Sequence, residues 1–194
     1  MYTLKTHSTL LLEYFKSANT LVKKWFIKEE IHDVVREGSS GREAPTNTGD
    51  GNLGDHNIGN YNQGDSNVGD YNIGTNNYGN QNVGDNNTGN DNVGNNNIGD
   101  RNAGHNNKGE DNAGDFNTGK TNAGNQNYGE QNTGDYNRGN INTGNRNKGF
   151  ENYGDYNEGT QNSGSNNTGK ENYGDRNTGN RNYGSQNLGS DNQG

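Results

Sequence analysis

A chain of 194 residues with 33 glycines and only 21% hydrophobic residues cannot enclose a conventional apolar core over most of its length. Its formal net charge of −8 argues against generic binding to nucleic-acid phosphates, which requires a basic surface. The absence of cysteine excludes disulfide staples, thiolate zinc sites and cysteine nucleophiles together.

Residues 1–37 carry the only ordinary amphipathic pattern. Leu11, Phe15, Ala18, Val22, Trp25 and Phe26 recur at three- or four-residue spacing, which predicts an amphipathic α-helix or two short ones. Leu11, Phe15, Val22, Trp25 and Phe26 form its candidate interaction face. Two uses suit such a helix. It can cap the first coil of a repeat array or pair with a copy of itself, because open coils expose unpaired backbone groups. Lys16, Lys23, Lys24 and Lys28 around Trp25 and Phe26 also suit an anionic membrane surface, although Glu29, Glu30, Asp33 and Glu37 reverse that charge downstream. Leu10-Leu11-Leu12 is soon followed by Glu13 and Lys16, so no signal peptide or membrane span is read here. An intracellular location is the default expectation, and export without a cleaved signal stays compatible with it. Residues 38–46, from Gly38-Ser39-Ser40-Gly41 through Pro45, read as a linker.

From Asn47 to Gly194 one unit, Asn-x-Gly-x-x, recurs thirty times in unbroken phase. We number its positions 1 to 5. A fixed period of this kind is the mark of a repeat array. The composition alone would suit disorder, but a solvated linker has no reason to hold register. Position 2 is rich in strand formers such as Ile58, Val68, Tyr78 and Val93. Of the 29 residues at position 4, 10 are Asp and 8 are Asn, which favours Asx-type turns. No Asn-Gly dipeptide occurs, so stacked hairpins are not encoded. The expectation is an all-β repeat solenoid, a parallel β-helix over 47–194 preceded by the helical segment.

Alternation along a strand sends Asn inward with Gly and sends position 2 outward. Asn57, Asn62, Asn67, Asn117, Asn137 and Asn157 are therefore candidate rungs of an internal amide ladder, with Gly59, Gly119, Gly139 and Gly159 permitting the corner dihedrals. Asp115, Asp135, Asp155 and Asp175 recur every twenty residues, and Glu151-Asn152-Tyr153-Gly154-Asp155 returns as Glu171-Asn172-Tyr173-Gly174-Asp175. That echo favours four pentads per coil, with a flatter ten-residue coil as the alternative.

In tandem, units such as Asn117-Thr118-Gly119 and Asn132-Thr133-Gly134 resemble the pentapeptide repeats of mycobacterial PPE proteins of the major polymorphic tandem repeat type. Residues 1–45 do not resemble a PPE domain, and the variable sites here are more acidic. The likeness to quadrilateral pentapeptide-repeat proteins is distant, because Ser66, Asn76, Arg101 and Gln126 stand where that class has Leu. Gyrase protection by DNA mimicry, known in that class, enters only as an analogy.

The Asp row at 115, 135, 155 and 175 is the best calcium candidate, but calcium needs 6–8 converging oxygens, and Lys120, Phe150 and Lys170 interrupt position 4. The four histidines lack ligand spacing. No Ser-His-Asp set, phosphate loop or paired-carboxylate cleft is present, so neither an enzyme nor a cofactor is expected. The reading is a non-enzymatic structural or interaction protein, an acidic solenoid with internal Asn ladders that self-associates end to end or binds another protein. The alternatives are a surface-binding solenoid for ice or polysaccharide and a DNA-mimicking inhibitor.

Overall fold

The computed structural model describes residues 46–194. The predicted helix with its face of Leu11, Phe15, Val22, Trp25 and Phe26 lies outside the described residues. The chain divides into two compact units, with a boundary between His105 and Asn106. Both are parallel β-solenoids, and each is described by itself.

In unit 1, residues 46–105, position-2 residues pair in parallel at intervals of ten: Thr48 with Ile58, Leu53 with Gln63, and so on to Val93 with Ala103. In unit 2 one side forms eight short strands: β1 (Lys108–Glu110), β2 (Thr118–Lys120), β3 (Tyr128–Glu130), β4 (Arg138–Asn140), β5 (Lys148–Phe150), β6 (Glu158–Thr160), β7 (Thr168–Lys170) and β8 (Thr178–Asn180). They make one parallel sheet in sequence order. The opposite side pairs through single residues, from Ala113 with Ala123 to Tyr183 with Gln193.

The ten-residue register corrects the expectation of four pentads per coil: each coil holds two, facing each other. The physical reason is the reach of an amide. Asn67 Nδ2 donates to the carbonyl of Gly74 at 2.7 Å, seven residues on and in the opposite pentad. One side chain spans the interior only when two pentads lie back to back. The twenty-residue echo then places its members two coils apart.

A polar interior must have its hydrogen bonds completed, and the pentad Asn67–Tyr71 illustrates how. Asn67 N–H donates to Asn57 Oδ1 at 3.0 Å, and Asp70 N–H to Asn80 Oδ1 at 2.8 Å. Val68 N–H donates to Asn77 O, Gly69 N–H to Ile58 O, and Tyr71 N–H to Asn60 O, at 2.8 to 2.9 Å. All of the pentad's backbone donors are thus met by neighbouring coils. The Asn67 side chain is equally committed. Its Nδ2 also donates to Asn57 Oδ1 at 3.1 Å, while its Oδ1 accepts from Asn77 N–H and Asn77 Nδ2, both at 3.0 Å.

From Asn57 to Asn182 every position-1 Asn is at most 1% exposed, whereas Ala113 and Ala123 are the only buried hydrophobic residues among those described. The core is therefore an asparagine ladder. Aspartate has no donor to give and leucine has neither group, so one residue type recurs at every rung. An unpaired buried polar group costs about 1–3 kcal/mol, which makes each substitution expensive.

The invariant glycine has a different cause from simple interior space. Gly119 sits at φ +123, and a Cβ there would collide with the carbonyl oxygen of Gly129 in the next coil. Coils approach so closely at this column that only a hydrogen fits, and the dihedral is one that L side chains rarely adopt.

Position 5 is also left-handed. Its residues lie near φ +60 throughout, including β-branched Thr121 at 60° and Ile141 at 59°. Two positive-φ residues per pentad turn the chain back within five residues. At position 5 the turn is imposed on side chains that ordinarily avoid it, at about 1–2 kcal/mol each.

Candidate functional surfaces

With Asn inside and Gly pressed against the next coil, positions 2, 4 and 5 remain to meet other molecules. Coils stack about 4.8 Å apart, so each variable position repeats as a column of side chains ten residues apart in sequence.

Position 4 is a second ladder, at the surface. Asn125 N–H donates to Asp135 Oδ1, Asn145 N–H to Asp155 Oδ1 and Ser165 N–H to Asp175 Oδ1, each at 2.7 Å. Asp115 N–H in turn donates to Asn125 Oδ1 at 2.8 Å. These aspartates therefore satisfy a backbone donor one coil away, in place of the local Asx turn read from composition. The structure brings Asp115, Asp135, Asp155 and Asp175 into one column but spaces them two coils apart, about 9.6 Å. That is too far for their oxygens to converge on one ion, and no metal-holding group of His, Cys, Asp or Glu occurs among the described residues.

Positions 5 and 2 present the rings in equal number, five each, and Phe150 adds one at position 4. Tyr61 and Tyr71 stack at 5.2 Å in unit 1. In unit 2 the guanidinium of Arg146 lies between Tyr136 and Tyr156, 5.5 and 5.2 Å from their centroids, and donates to the Tyr156 hydroxyl. At position 2, Tyr173 and Tyr183 stack at 5.1 Å. Such contacts between like columns are worth about 0.5–1.5 kcal/mol each. The rings remain about half exposed; Tyr128, for instance, is 62% exposed.

Charge is arranged along columns too. Lys148 pairs with Glu158 at 2.7 Å and Lys120 with Glu110 at 3.1 Å. Arg181 donates twice to Asp191, at 2.6 and 2.8 Å. Hydrogen bonding from Arg181 holds the Asp191 carboxyl below its ordinary range, and the same bond raises the guanidinium.

The predicted rungs Asn57, Asn62, Asn67, Asn117, Asn137 and Asn157 all lie in the buried ladder. Gly59, Gly119, Gly139 and Gly159 form the close-contact column. The residues that composition did not single out are the position-5 set in unit 2, whose φ values and ring contacts carry no local sequence signal. No helix among the described residues is long and apolar enough to cross a membrane.

A coil of two back-to-back pentads with an amide interior defines a pentapeptide-repeat solenoid, a structural repeat architecture. The family model described as pentapeptide repeats (8 copies) matches residues 46–85, 86–125, 126–169 and 161–194, and the chain belongs to that family. Comparison with curated proteins gave no match.

Proposed function

We propose that this protein is a non-enzymatic scaffold that displays side-chain columns at fixed spacing and associates with further copies of itself coil on coil. One observation carries the reading: every interior coil is complete only with a coil on either side. Asn132, for example, donates to Asn122 Oδ1 at 3.0 Å and accepts from Asn142 Nδ2 at 3.0 Å. Backbone groups do the same, as Thr133 N–H donates to Asn142 O at 2.8 Å. A coil supplied by another copy would offer the same donors and acceptors at the same period, in the manner of an unpaired sheet edge.

Net negative charge keeps the display surface soluble and disfavours nucleic-acid partners. Sedimentation velocity and negative-stain microscopy of the full chain over a range of concentrations test the reading. Concentration-dependent filaments with an axial repeat near 4.8 Å are expected; a monodisperse monomer at high concentration would overturn self-assembly.

A further inference from the structure

The two columns that flank the buried amides of Asn127 and Asn137 enclose two shallow recesses in unit 2. One, of about 420 Å³, is lined by Phe116, Thr118, Gln126, Asn127 and Tyr128. The next, of about 320 Å³, is lined by Gln126, Tyr128, Tyr136, Asn137 and Arg138. Both volumes fall within the range of small-ligand sites. The second recess is the first moved along by one coil, and Gln126 with Tyr128 is the wall they share. Consecutive recesses one coil apart match a ligand that itself repeats, with units about 4.8 Å long.

The lining decides the chemistry of those units. Exposed rings of Phe116, Tyr128 and Tyr136 supply apolar surface. The Gln126 amide, which reaches the Tyr136 hydroxyl at 3.3 Å, supplies both donors and an acceptor, while Arg138 and Thr118 add donors at the rim. Apolar patches interleaved with neutral polar groups suit a sugar ring, which offers C–H faces and hydroxyls together. Charge removes the polyanions. Asp115 and Asp135 adjoin Phe116 and Tyr136, and the cations, Arg138 in the lining and Arg146 over the Tyr136 ring, gather at the second recess only, in a chain of net charge −8. Polyuronates and single-stranded nucleic acids need a cationic path along their length.

We infer that this double recess is a binding site for a linear neutral polysaccharide, laid along the solenoid axis with successive sugars in successive coils. In unit 1 neither position-5 column carries the Phe-Gln-Tyr series of Phe116, Gln126 and Tyr136. The inference stands apart from self-assembly, since it requires only one chain and its groove.

Native affinity electrophoresis of the full chain tests it, using gels containing hydroxyethylcellulose, galactomannan or linear β-1,3-glucan, with polygalacturonate gels and labelled oligo-dT as charged comparisons. Retardation by at least one neutral polymer is expected. Tyr128→Ala and Gln126→Glu are each expected to weaken it by about tenfold, the scale of a central contact residue, while Tyr173→Ala, outside both recesses, leaves it unchanged. Circular dichroism establishes that each variant is folded, and Gln126→Glu, which keeps the size of a position-5 side chain, carries the test if Tyr128→Ala misfolds. No retardation by any neutral polymer, equal retardation of the folded groove variants, or stronger binding of polygalacturonate or oligo-dT would overturn the assignment.

Discussion

Units 1 and 2 wind the same ten-residue coil around the same amides, yet they spend their variable positions differently. In unit 1 ten of the twelve position-4 residues are Asp or Asn, and Arg101 is the sole Lys or Arg among its described residues. In unit 2 only eight of seventeen position-4 residues are Asp or Asn, and eight Lys or Arg residues appear. The interiors diverge with them. Unit 1 bonds amide to amide along both of its columns, as Asn77 to Asn67 and Asn82 to Asn72. Unit 2 does so along the column of Asn122, Asn132 and Asn142. In the facing column, Asn127 and Asn137 keep the bonds to backbone: Asn137 Nδ2 donates to Gly144 O at 2.7 Å and its N–H to Asn127 Oδ1 at 3.0 Å.

We attribute the difference to position 4. On the side of unit 2 that forms β1 to β8, Lys120, Phe150, Thr160 and Lys170 replace the Oδ1 acceptor, and the backbone there pairs over three residues, as Phe150 with Thr160. Between β3 and β4, where Asn140 Oδ1 takes the Glu130 N–H at 2.9 Å, the pairing contracts to Tyr128 with Arg138. Lys170 with Asn180 keeps both arrangements. A surface position thus reaches the core through the backbone it caps.

The largest effect expected is one that the units share. Gly89→Ala in unit 1 and Gly139→Ala in unit 2 each place a Cβ against the carbonyl of the next coil, at φ +114 and +119. Left-handed strain and overpacking together cost about 3–5 kcal/mol. Thermal unfolding followed by circular dichroism should show similar large losses in both; tolerance of either would mean the coils can separate at that column.

The rungs separate the units. Asn132→Ala strands the amide and the backbone N–H of Asn142 along with the Gly139 carbonyl, so about 2–4 kcal/mol is expected. Asn137→Ala, in the column without amide-to-amide bonds, should cost about 1 kcal/mol less. In unit 1 the corresponding pair, Asn82→Ala and Asn77→Ala, should cost the same. Equal losses in unit 2 would break the proposed distinction between its columns.

Position 5 runs the other way. Ile141→Gly relieves a β-branched residue at φ 59 and should stabilise unit 2 by about 1 kcal/mol. Asn86→Gly at the same dihedral in unit 1 should gain less, because Asn tolerates that region. Melting temperatures of the two variants against the parent decide it.

How much of this was legible follows from where the information resides. Asn57 or Asn117 could be read as a rung because a donor-and-acceptor residue at an unvarying position answers a question only a polar interior asks. Coil size could not be read from repetition, since a twenty-residue echo in Asp115, Asp135, Asp155 and Asp175 fits either coil; it is set by how far one Asn amide reaches across the interior. The bond from Asn125 N–H to Asp135 Oδ1 has no sequence signal of its own, because local turn preference and contact between coils favour the same residue types. Ile141 in a left-handed conformation contradicts its own propensity, and only the wound backbone enforces it.

The smallest effect concerns Arg181 and Asp191, an exposed pair in unit 2. The Asp191 carboxyl is held below its ordinary value of 3.8 by the Arg181 hydrogen bond. A lowered carboxyl contributes stability that is fully present above the unfolded value and fades as pH falls through the folded one. The Arg181→Ala variant should therefore melt slightly below the parent at neutral pH, and the gap should close on acidification below the carboxylate range. Because both groups are exposed, salt should narrow the gap at neutral pH as well. A difference that persists in acid would assign the role of Arg181 to the contact of its aliphatic stem with the coil in place of the ion pair.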